Sequence, residues 1–149
     1  MPSLLPLVAV AAMATPAEPP CTIAYDAPDD LTQVVQRDGF SFDGFDRLCG
    51  RLQRDDLKVL VTSMNGVLLD RAYGWVSVTL VRDATGVAGT ITQQSMVMDR
   101  VTDSPTARRA AMSALNNALR DIAADPEPYI RSVAANEVRL RGKLSQPAR

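Results

Sequence analysis

Seven aspartates fall into three clusters in the first half of the chain: Asp26, Asp29 and Asp30; Asp43 and Asp46; Asp55 and Asp56. Two carboxylates held a few ångströms apart in a cleft are the minimum apparatus for cleaving a glycosidic bond. Each cluster, however, sits where a helix or turn is expected to start or stop, and Asp is favoured there for capping. None shows the alternating acids before glycine of a calcium loop. The chain has no histidine. That removes Ser-His-Asp and Cys-His pairs, His-ligated zinc, and the side chain whose ordinary pKa lies near neutrality. Cys21 and Cys49 are too few for a four-cysteine zinc site. Lys58 and Lys143 are the only lysines, each among ordinary helix or strand residues. No metal or cofactor is implied.

Three further groups of residues carry expectations. Cys21 and Cys49 lack the Cys-x-x-Cys spacing of a redox couple, so a structural disulfide is expected; closing a loop of that length stabilises by about 3.5 kcal/mol on the chain-entropy estimate. Ser104, Arg108 and Arg109 stand in the first turns of an expected helix, where free N–H groups and two guanidinium groups form a candidate anion-binding site. Tyr73, Trp75, Gln94 and Met96 are expected on one sheet face as a candidate binding patch, since aromatic, amide and thioether groups together favour partner or ligand contact. Covered by a helix or by the N-terminal segment, the same four residues would instead be a second small core.

Residues 1–14 contain no charged side chain, run apolar from Leu4 to Ala12, and end in Ala12-Met13-Ala14. This is the layout of a secretory signal peptide, apart from the missing basic residue at its start. Residues 15–30 then read as an N-terminal extension, 31–144 as a single domain, and 145–149 as a frayed tail. No other stretch is long and apolar enough to span a bilayer. Export to the periplasm or beyond suits the disulfide. Net charge is −1, but the layout is lopsided: nine acids and five bases from Thr15 to Leu60, five and eight from Val101 to Arg149. No basic face with interleaved aromatics suggests nucleic acid.

The elements that must position these residues are legible from periodicity. Asp30 with Gln33 resembles a capping box before Leu31, Val34 and Val35, and Gly39 ends that helix. Phe45, Leu48, Cys49 and Leu52 give a second helix over about 43–54, with Cys49 on its buried stripe. Leu57 to Met64 reads as a strand, turned by Asn65-Gly66 into a second strand over about 72–82. Asp83-Ala84-Thr85-Gly86 turns that into a third, over about 87–99. Pairing Arg82 with Val87 places Trp75 opposite Gln94 and Tyr73 opposite Met96. Ser104 caps a third helix with Pro105 at its first position and Ala111, Leu115, Ala118, Leu119 and Ile122 inward. Pro128 opens a fourth with Ile130, Val133, Ala134 and Val138 inward, ended by Gly142.

The expected fold class is α+β: a three-stranded antiparallel meander packed against helices, in the order α-α-β-β-β-α-α. The expected function is that of a small exported, non-catalytic binding or interaction protein; an inhibitor or immunity-type role fits the size, disulfide and missing catalytic groups, though no residue selects it. Its partner would be another envelope protein or an envelope polymer. The alternative is a carboxylate-dependent hydrolase acting on envelope glycans.

Overall fold

The computed structural model describes residues 20–144. Residues 1–14, read above as a signal peptide, residues 15–19 of the expected extension and residues 145–149 of the expected tail lie outside the described residues. In chain order the elements are β1 (Tyr25–Asp26), α1 (Asp29–Asp38), α2 (Phe45–Arg54), β2 (Leu57–Leu68), β3 (Arg71–Arg82), β4 (Ala88–Asp99), α3 (Ser104–Ala124) and α4 (Glu127–Leu144). The sheet order is β1-β2-β3-β4, with β1 parallel to β2 and the other pairs antiparallel. The expected meander is present, but it belongs to a four-stranded mixed sheet. The fourth strand is only two residues long, too short to show any alternation, and it lies in a segment read as an extension.

All four helices are gathered on one side of the sheet. Strand alternation explains the division: Val76, Val78 and Leu80 of β3 are fully buried, with Leu57, Val59 and Val61 of β2 beside them. Against them pack Leu115, Ala118, Leu119 and Ile122 of α3, all fully buried as the helical periodicity predicts. Gly74 lets α3 come close, since a Cβ there would stand 2.0 Å from the Ala111 nitrogen. Gly89 does the same for α4, where a Cβ would meet the Ser132 hydroxyl at 2.4 Å. Cys21 and Cys49 are joined, tying the chain ahead of β1 to the buried stripe of α2.

Several boundaries depart from expectation. The β2–β3 hairpin turns at Leu69-Asp70, since Leu68 pairs with Arg71 and Leu69 has φ 54°. Asn65 and Gly66 lie within β2, for reasons specific to each. The Asn65 amide donates to Asp30 Oδ2 at 2.6 Å, and Gly66 faces Tyr73, whose ring would lie 3.3 Å from a Cβ at that position. Asp30 is consequently inside α1, whose N-cap is Pro28 with no side-chain cap. The N-cap of α3 is Asp103, its carboxylate accepting from the Thr106 N–H at 2.6 Å, one residue ahead of Ser104. In α4, Val133 is buried, but Ala134 and Val138 are exposed and the helix runs through Gly142. The inner side of α4 is largely polar, because the sheet edge and turn beneath it offer hydrogen-bonding groups. The Asn136 amide donates to the Ala88 carbonyl at 2.8 Å, and Glu137 meets Arg82 at 3.2 Å.

Candidate functional site

With the four described helices on one side, no described element covers the opposite face of β2, β3 and β4. Period-two alternation places Leu60, Thr62, Met64 and Leu68 of β2 on it. From β3 come Tyr73, Trp75, Ser77 and Thr79, and from β4 Thr92, Gln94, Met96 and Met98. All four residues of the candidate patch are therefore on this face. Trp75 pairs with Met96, Tyr73 with Met98, and Gln94 with Ser77, which displaces the expected register by two residues. The expected register survives at the turn, where Val81 pairs with Ala88, and is lost across an irregularity between Thr79 and Val81. An even shift keeps each side chain on its own face, which is why the composition of the patch survives the error.

The face divides along its length. Toward the Asp83–Gly86 turn it carries hydroxyl groups, Thr62, Ser77, Thr79 and Thr92. Toward the Leu69-Asp70 tip it carries Met64, Leu68, Tyr73, Trp75, Met96 and Met98. Met64 is 57% exposed, Leu68 63%, Met96 52% and Met98 53%, and Tyr73 and Trp75 are half-buried between them. Leu68, Leu69, Tyr73, Met96 and Met98 line a hollow of about 320 Å³ at the tip. Sequence reasoning missed Met64, Leu68 and Met98. The alternation Leu60-Thr62-Met64-Gly66-Leu68 would have revealed the β2 residues, had Asn65-Gly66 not been taken for a turn.

Charge is nearly absent from the open face. Lys58 and Arg71 sit at opposite ends of it. The Lys58 ammonium bridges Asp26 at 2.9 Å and Asp83 at 3.4 Å, and its hydrogen bonds to these carboxylates raise its pKa. Arg71 stands 3.9 Å from Asp70.

The candidate anion site is arranged differently. The Asp103 carboxylate caps the α3 N-terminus, and that hydrogen bonding lowers its pKa. Arg109 donates to the Thr106 hydroxyl at 2.7 Å, while Arg108 turns toward a hollow shared with Asp29 and Asp30. Ser104 is exposed at the first helical position. The helix end, Ser104 and the two arginines thus do not converge on one point, and the chain's own carboxylate already occupies the positive end of the helix.

Members of the first and third acidic clusters are held by structural partners. Asp26 pairs with Lys58, Asp30 with Asn65, and Asp55 with Arg51 at 2.6 Å. Arg51 also reaches Glu127 at 2.7 Å, joining α2 to α4. Among the described residues no group of three or more Cys, Asp or Glu is placed to hold a metal ion. Where carboxylate pKa values move, at Asp38, Asp103 and Glu137, they move downward through hydrogen bonds from Arg37, Thr106 and Arg82. A general acid needs the opposite shift.

No protein-family model matches the chain, and no curated protein sequence does. A crystal structure of a minor lipoprotein from Acinetobacter baumannii is similar over 77% of this chain and 93% of that one, at 15% identity and a TM-score of 0.26. At that score the likeness decides neither fold nor role. Among the described residues no helix is long and apolar enough to cross a membrane.

Proposed function

We propose that this is an extracytoplasmic, non-catalytic binding protein that holds an envelope protein or polymer on the open face of its sheet. The observation that carries this reading is the uncovered apolar half of that face, built from Met64, Tyr73, Trp75, Met96 and Met98 beside Gln94. Half-buried aromatics flanked by flexible thioethers are the composition of adaptable contact surfaces. The Cys21–Cys49 bond supports work in an oxidising compartment, reached by removal of residues 1–14 on export. Inhibitor or immunity-type action belongs to the same reading.

The test is Trp75→Ala. With no helix above it, Trp75 should melt out cheaply, well short of the ~3–5 kcal/mol that a core tryptophan costs. Retention of the protein on immobilised envelope polymer or detergent-solubilised envelope proteins should fall at least tenfold. Unchanged retention, or a melt lowered as far as a core substitution lowers it, sinks the proposal.

A further inference from the structure

Strand β4 is the outer strand of the sheet, so every second residue turns its backbone N–H and C=O away from β3. Natural edge strands are usually blunted by charges, proline, a bulge or a covering helix. In β4 those devices are confined to one end. The irregular stretch between Ala88 and Thr92 distorts the pairing there, and Asn136 caps the Ala88 carbonyl from α4. From Ile91 to Asp99 the strand has no proline and no charge before its last residue, and among the described residues no strand or side chain bonds its outer backbone. Unpaired backbone groups in extended register specify their own occupant, which is another extended strand.

We infer that this segment pairs antiparallel with the same segment of a second copy. Full overlap of Ile91–Asp99 with itself puts the two-fold axis at Ser95. Gln94 of one copy then faces Met96 of the other, Thr92 faces Met98, and Asp99 faces Ile91. No like charges meet, so charge does not oppose self-pairing. Each pair keeps open-face residues with open-face residues, and the two apolar patches become continuous across the axis. A nine-residue strand is about 30 Å long, and at a sheet thickness of about 10 Å the contact falls below the ~1,000 Å² of a stable interface. The dimer is therefore a weak one, exchanging with monomer in the micromolar-to-millimolar range.

Sedimentation equilibrium of the disulfide-bonded protein over that range tests it, together with two double variants at exposed positions. The pair Gln94→Lys with Met96→Lys sets lysine against lysine across the axis and should weaken self-association at least tenfold. The pair Gln94→Glu with Met96→Lys sets opposite charges there and should restore it, with thermal melts showing that both variants fold. Trp75→Ala should leave dimerisation intact, which separates this inference from the proposed function. A wild type that stays monomeric to about 1 mM overturns it, as does equal association by both double variants. Amide exchange that finds the outward-facing amides of Ile91–Asp99, those that alternate with the amides bonded to β3, protected in a dilute monomer overturns it too, because the chain itself would then cover the edge.

Discussion

Individual side chains in this protein act mainly as ties between elements, and Glu137 shows how such a tie responds to pH. Its carboxylate takes two hydrogen bonds from Arg82, at 3.2 and 3.3 Å, and a third from the Thr85 hydroxyl at 3.2 Å. Arg82 also donates to the Asp55 carbonyl, so one guanidinium group joins α4, β3 and the end of α2. The hydrogen bonds from Arg82 lower the Glu137 pKa below its ordinary value of 4.5. A depressed carboxylate pKa stabilises the folded state above the unfolded value, and that contribution is lost as pH falls through the folded value. Glu137→Gln should therefore lower the melting temperature near neutrality, and the gap to wild type should close as the pH falls below the ordinary carboxylate value of 4.5 and through the lowered folded one. A gap of constant size across that titration would show that the ion pair contributes nothing.

Among elements, the close contact of α3 with β3 depends on one missing side chain. Gly74 faces the backbone of Ala110 and Ala111, at 2.4 and 2.0 Å from where a Cβ would lie. Backbone cannot swing aside as a flexible side chain can. Gly74→Ala should cost about 3 kcal/mol or more through overpacking. Gly142→Ala, in an exposed turn of α4 with nothing within 4 Å, should be neutral or stabilise by up to about 1 kcal/mol. Chemical denaturation of both variants checks the contrast, and equal effects would mean that α3 rides higher on the sheet. The charge layout also works at this scale, in a direction the composition does not suggest. Arg51, a base in the early part of the chain, pairs with Glu127 in the late part, and Arg82 of the central strand β3 pairs with Glu137.

For the molecule as a whole, the Cys21–Cys49 bond anchors the start of the described chain, 28 residues before its partner, onto the core side of the sheet. Leu48, Cys49 and Leu52 are buried there, and Ile23 follows the first cysteine into the same core. The bond constrains a segment held otherwise by the two-residue strand β1 and by a hydrogen bond from Gln53 to the Thr22 carbonyl. Reduction should lower stability by up to about 3.5 kcal/mol, the chain-entropy value for a loop of this length. Thermal melts with and without reductant measure it, and a shift absent in material whose bond is verified by mass would show that the bond does not stabilise the fold. Among the described residues the same architecture leaves one sheet face bare, and an exposed apolar patch of that kind commonly marks an interaction site.

The helices and the main strands were legible because their signals are local. Leu115, Leu119 and Ile122 repeat at helical spacing, and Val76, Val78 and Leu80 alternate, so period alone assigns both the element and its buried side. The patch of Tyr73, Trp75, Gln94 and Met96 was legible for the same reason, since an even error in register leaves the faces unmixed. Other features depended on partners distant in sequence. Asn65-Gly66 has the composition of a turn, and it is held in a strand by pairing with Gly74 and Tyr73 of β3 and by the Asp30 carboxylate. The inner side of α4 is polar because Ala88, Arg82 and Thr85 lie beneath it. Two residues become β1 only because β2 offers an edge. Whether Trp75 belongs to a core or a surface was likewise undetermined by its neighbours in sequence. Tertiary packing decided that by placing all four helices on the other side of the sheet, where the aliphatic faces of β2 and β3 removed the most apolar surface from water.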